Sequence, residues 1–294
     1  MNTASATELR GRCGPAAESL FQSSAAGIVC GVFSSALYCD FESEILLFHS
    51  CAYGEVPFGA ALDDVKSFLA ACQASAGDTI TLQPDGFSLG GKNYILCQTA
   101  AGIPRPSGHI LPPDPSRLAA IYAFVRENGS PRGMLSLLET DPAAKGAVPA
   151  LESAFCLGDA AAARQAAWRL VGRGRGLTPS GDDFLCGFFQ TLYAARAAGL
   201  PVPEIADTCA AELSGALNRT SRISGAYLRH ALLGSYFTIY DASARTVLGG
   251  ADFRTACSFV FGMGASSGTD TLLGALSAAR VLSAYPPKPH GYTS

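Results

Sequence analysis

Gly172-Arg-Gly-Arg-Gly-Leu-Thr-Pro-Ser-Gly-Asp-Asp-Phe184 is the segment best suited to chemistry. Glycines alternate at 172, 174 and 176, and a polar elbow then opens a helix whose apolar face begins at Phe184. Alternating glycines let backbone N–H groups converge on a ligand, and a helix N-terminus adds partial positive charge. Such a cradle suits a phosphate or carboxylate. Gly176-x-x-x-x-Gly181 has the glycine spacing of a P-loop, but Asp182 and Asp183 follow where Lys and Ser or Thr belong. A carboxylate ~4 Å from a phosphate costs about 4 kcal/mol at an effective dielectric near 20, roughly a thousandfold in affinity. The segment is not a P-loop. Its aspartates must face a cation, a metal or the N–H groups of an amide.

The segment has an echo. Ser180-Gly-Asp-Asp-Phe-Leu-Cys-Gly187 and Ser267-Gly-Thr-Asp-Thr-Leu-Leu-Gly274 both read S-G-x-D-x-L-x-G, and both follow a glycine-containing loop. In each, Ser caps a helix and Asp sits in its first turn, one turn before a glycine that lets helices approach. The repetition predicts two converging helix starts, with Asp183 and Asp270 as counterparts. Either motif alone is also an ordinary helix start, since acidic residues complement the helix dipole.

Gly-Leu-Thr-Pro-Ser-Gly-Asp-Asp-Phe-Leu at 176–185, with Ser-Ser-Gly-Thr-Asp at 266–270, resembles the AllH-type subunit family of oxamate carbamoyltransferase. The chain departs from that family in its basic Arg173 and Arg175, and at Ala265, where His is common. The resemblance implies carbamoyl transfer between carbamoyl phosphate and oxamate, giving oxalurate, in the purine-catabolic (allantoin) setting and in a complex with other subunits. On that footing Gly174, Gly176, Thr178, Ser180, Gly181, Ser267 and Gly268 would cradle an anion. Arg173, Arg175 or Arg222 would neutralise its charge. Asp182, Asp183 and Asp270 would be the catalytic carboxylates, orienting an NH2 group, accepting its proton or holding magnesium. Any metal would fall to Asp183 and Asp270.

These residues need a frame. The first third is strand-like at 27–33, 44–48, 79–82 and 93–97, with helical spacing only over 60–72. That pattern predicts a small barrel or curled sheet of five to seven strands. Five prolines between Ile103 and Pro115 mark a boundary. Beyond it, alanine-rich helical segments are expected at 116–128, 131–139, 147–157, 159–171, 181–198, 204–217, 222–233 and 268–284. The reading is an α+β chain: a β-rich, barrel-like domain over 1–103, a Pro-rich linker over 104–115, and an α-helical bundle over 116–294 that carries both motifs.

Composition narrows the function classes. With 21 Lys and Arg against 24 Asp and Glu the net charge is −3, which argues against a nucleic-acid partner. Charged residues are only 15%, against about 25% in a typical soluble chain, so part of the surface is expected to be covered by other subunits. No run reaches the ~18 apolar residues of a membrane span, and the N-terminus lacks a signal-peptide core. Ten cysteines without a C-x-x-C pair suit a reduced, cytoplasmic protein.

Other candidates are weaker. Asn218-Arg-Thr-Ser-Arg222 with Ser224 is either a capped helix start or an anion contact through Arg219 or Arg222. His49, His109, His230 and His290 lack metal-ligand spacing, and Trp168 reads as core. Two rival functions share the same loop. One is a magnesium-dependent phosphotransferase or nucleotide-binding enzyme; the other is a non-catalytic scaffold subunit.

Overall fold

The computed structural model describes residues 6–98 and 109–285. Its β-rich part runs β1 (Thr7–Cys13), α1 (Pro15–Gln22), β2 (Ala26–Val32), β3 (Ala36–Asp40), β4 (Ile45–Ser50), β5 (Gly59–Leu62), α2 (Val65–Cys72), β6 (Thr79–Gln83), β7 (Gly86–Leu89) and β8 (Lys92–Gln98). These strands close into a barrel of order β1-β5-β4-β3-β2-β6-β7-β8, in which β8 returns to pair with β1 in parallel. The alternation along β2, where Gly27 and Val29 are buried between exposed neighbours, is what one covered face requires. Aromatic rings fill the interior: Phe48 and Phe87 have centroids 4.8 Å apart, and Phe87 stacks on Tyr94 at 4.9 Å.

The barrel has eight strands, more than the five to seven expected. Its first strand, β3 and β7 carry no sustained apolar alternation. The helix expected over 60–72 begins only at Val65, because Gly59–Leu62 is a strand. Those four residues are all buried, and their conformation is set by partners rather than local pattern: β1 antiparallel on one side, β4 parallel on the other.

The remaining elements are α3 (Pro115–Asn128), α4 (Met134–Thr140), α5 (Pro142–Leu157), α6 (Ala160–Trp168), α7 (Ser180–Ala197), α8 (Ile205–Leu213), α9 (Arg222–Leu232), α10 (Thr238–Leu248), α11 (Phe253–Phe261) and α12 (Ser267–Ala284). The α+β class is as read from the sequence. The chain divides into two compact units, Met1–Arg105 with Tyr236–Thr238, and Pro106–Ser235 with Ile239–Ser294. Of the proline-rich segment 104–115, residues 104–108 lie outside the described residues, as does His290. Pro115 does not block a helix but starts one, in the first turn of α3, where Asp114 accepts the Ser116 N–H at 2.9 Å.

In the helical unit α7 and α12 are the most deeply buried elements, covered along nearly their whole length. Trp168 is not core. It is half-buried, with the Arg164 guanidinium 5.4 Å and that of Arg219 5.9 Å from its ring centre. All ten cysteines are free thiols. Among the described residues no helix is long and apolar enough to cross a membrane.

Candidate functional site

The two S-G-x-D segments begin α7 and α12 in the same way. Ser180 and Ser267 are the first helical residues rather than caps, and neither start has a side-chain cap. The following glycine sits on the end of the preceding helical segment. A Cβ on Gly181 would come within 2.0 Å of the Leu170 carbonyl oxygen, and one on Gly268 within 1.9 Å of that of Val260. The hydrogen bonds match as well. Arg173 N–H donates to Leu170 (2.9 Å) while its carbonyl accepts from Gly181 N–H (2.8 Å). Met263 N–H donates to Val260 (3.0 Å) while its carbonyl accepts from Gly268 N–H (3.1 Å). These bonds correct one expectation. The N–H groups of Gly181 and Gly268 are taken by backbone and are not anion donors.

The later glycines complete a two-fold arrangement. A Cβ on Gly187 would lie 2.1 Å from the Thr271 carbonyl oxygen, and one on Gly274 1.9 Å from that of Phe184. Phe184 and Thr271 are themselves counterparts in the repeated motif, so the contact is the same contact made twice.

Asp183 and Asp270 lie beside this crossing, 2% and 0% exposed. Asp183 Oδ2 accepts from Thr178 Oγ1 at 3.0 Å, and Thr178 Oγ1 is 3.1 Å from Ser267 Oγ. Burial pushes the Asp183 carboxyl well above the usual range. The Ser267 hydroxyl pulls it back, Asp270's charge raises it further, and Thr178 again lowers it. Asp270 is pushed up to about 6 by burial, against the Met134 N–H and the nearby hydroxyls of Ser180 and Ser266. Its Oδ1 accepts the Met134 N–H at 2.6 Å, while Oδ2 is buried without a directed hydrogen-bond partner. Each aspartate thus has the first serine of the other helix at its side.

The other expected site residues separate into two groups. Asp182, 1% exposed, accepts from Gly172 N–H (2.8 Å), Ser224 Oγ (2.7 Å) and Thr220 Oγ1. Burial raises it and these three donors lower it. With its oxygens so occupied, Asp182 braces the 172 turn against the start of α9. Arg173 pairs with Asp141 at 2.7 Å and donates to the Arg169 carbonyl at 2.8 Å.

Gly174, Arg175 and Gly176 stay at the surface. Their N–H groups have no partner among the described residues, and Gly174 and Gly176 hold φ of +117° and +109°. Arg222 opens α9, exposed; Ser221 caps that helix and also donates to the Leu177 carbonyl at 2.8 Å.

The motifs do not reveal the arm of chain that covers Asp270. Gly133, at φ +76°, lies flat against its carboxylate, where a Cβ would be 2.6 Å from both oxygens, and Ser130 N–H reaches Thr269 Oγ1 at 2.9 Å. Nothing local in 129–134 signals this, because the partners are more than 130 residues away. Among the described residues no three His, Cys, Asp or Glu side chains gather as a metal set. Asp183 Oδ2 and Asp270 Oδ1 each receive a donor, whereas Asp270 Oδ2 receives none. A cavity of about 500 Å³ lined by Tyr193, Arg196 and Asp207 opens some ten residues further along α7, about 15 Å from Asp183.

No curated protein and no solved structure matches the chain. The segment just described does have a match. Residues 170–279, which hold both loops, both helix starts and both aspartates, match the model of the family described as oxamate carbamoyltransferase subunit AllH, and this supports the kinship that the two motifs indicated.

Proposed function

We propose that this chain is the proton-handling subunit of a carbamoyltransferase complex, acting on carbamoyl phosphate and oxamate, or on oxalurate in reverse. The observation that carries this reading is the buried Asp183–Asp270 pair, crossed by two serines and bonded to no cation among the described residues. Two carboxyls held out of water without a counter-ion are costly, and such groups concentrate where chemistry needs a displaced pKa. The family match supports carbamoyl transfer as the reaction class.

Carbamoyl transfer forms a bond from an amide nitrogen to the carbamoyl carbon and breaks the bond from that carbon to a phosphate oxygen. The nitrogen must lose a proton and the departing phosphate must gain one. A pair holding one proton does both at once: it accepts the nitrogen's proton as its own leaves for the phosphate. Thr178, half-buried, links the pair to the exposed Gly174–Gly176 loop, whose free N–H groups and Arg175 would hold the phosphate. The other subunits would complete the site.

The magnesium-dependent phosphotransferase reading has less support, since among the described residues no third His, Cys, Asp or Glu is placed to share a metal ion with the pair. The deciding experiment purifies the tagged chain with the subunits that accompany it and follows carbamoyl phosphate formation from oxalurate and phosphate. Turnover that collapses in Asp270→Asn supports the proposal. Turnover indifferent to both Asp183→Asn and Asp270→Asn would leave the chain a scaffold.

A further inference from the structure

We infer that the two counterpart aspartates have unlike duties: Asp183 holds the pair's proton and Asp270 carries its charge. The inference rests on the proposed function for its catalytic meaning, but its charge assignment stands by itself.

An unbroken two-fold arrangement would make the carboxyls equivalent. Two departures prevent that. The first loop spends seven residues between Arg173 and Gly181, whereas the second spends four between Met263 and Gly268. The longer loop brings Thr178 into the cluster, so the partners of Asp183 are hydroxyls, those of Thr178 and Ser267. A hydroxyl can donate or accept, and therefore tolerates a proton on its neighbour. Asp270 also has hydroxyls at its side, those of Ser180 and Ser266, but it has in addition a partner of another kind. Its Oδ1 receives the Met134 N–H at 2.6 Å, a group that can only donate and is strengthened by negative charge, and Asp183 has no such N–H donor among the causes that set its carboxyl. Its buried Oδ2 has no directed hydrogen bond and keeps lone pairs for an incoming proton.

The surroundings agree. Asp182 on α7 adds negative charge near Asp183, and Cys186 on α7 and Tyr240 on α10 are pushed up first by burial and then by neighbouring negative charge, Asp183 included, so neither offsets it. α4 presents a backbone N–H rather than a titratable side chain, and the nearby Arg173 guanidinium is bonded to Asp141. Burial raises Asp183 well above the ordinary range and Asp270 only to about 6, the same order as the donors dictate.

The test uses infrared spectroscopy of the full-length chain at neutral pH, reading the carbonyl stretch of a protonated carboxyl. The band should vanish in Asp183→Asn and persist in Asp270→Asn. The reverse pattern, or no such band in the unsubstituted chain, overturns the assignment. Should either variant fail to fold, NMR of the unsubstituted chain with 13C-labelled aspartate replaces it. One buried carboxyl should be protonated at neutral pH and a second should titrate near 6; two ionised carboxyls would refute the proposal. Because neither measurement needs turnover, a correct spectrum with an inactive complex would fault the proposed function alone.

Discussion

Gly187 rests on the backbone of Thr271 so closely that a methyl group there would fall 2.1 Å from the carbonyl oxygen. Gly187→Ala must therefore push α7 and α12 apart. Overpacking of this kind costs about 1–3 kcal/mol, and its counterpart Gly274→Ala should cost as much. Gly146→Ala, in α5 with open space around the new Cβ, should instead raise the melting temperature, since alanine is the better helix former. Thermal denaturation of the three variants checks the contrast.

Asp270 makes stability depend on pH with an unusual sign. Its folded carboxyl is raised from 3.8 to about 6, so between those values the folded chain binds more protons than the unfolded one. Stability from this group is present in acid and is lost as pH rises through 6, by about 3 kcal/mol in all. Urea unfolding at pH 4 and pH 7.5 should show that difference shrinking in Asp270→Asn. Asp141 and Asp252, with lowered carboxyls, act in the opposite direction in both proteins and cancel in the comparison.

Asp182→Ala should damage folding rather than chemistry. It would strip the partner from Gly172 N–H, Thr220 and Ser224 together. Leaving buried donors unpaired costs about 1–3 kcal/mol for each group that water cannot reach. Turnover per folded complex, normalised by circular dichroism, should fall far less than in Asp270→Asn.

Thr178→Val keeps the side chain's shape and removes the hydroxyl that joins the loop to Asp183 and Ser267. Stability should change by about 1 kcal/mol or less, because the site is only half-buried. Turnover of the complex should drop about tenfold or more if protons pass this way. Full activity in the valine variant would close that route.

The site was partly legible because its signal is local. Eight residues repeated at 180–187 and 267–274 state where two helices begin, where each carboxyl stands and where each glycine touches. The covering arm was not legible, because Gly133 and Met134 meet Asp270 only through the fold. Gly181 and Gly268 were misread for a related reason. Their small size serves the carbonyls of Leu170 and Val260, not a ligand, and sequence does not distinguish those needs. In the barrel, periodic strands such as β2 were found, while Gly59–Leu62 took its conformation from β1 and β4.

The matched bonds of Leu170, Arg173 and Gly181 with those of Val260, Met263 and Gly268 build one helix–loop–helix pattern twice within a single polypeptide. Two identical chains paired through such a pattern would hold their aspartates in identical surroundings. Within one chain the two copies are free to differ, as they do in the longer first loop that brings Thr178 to Asp183 and in the arm that brings Met134 to Asp270.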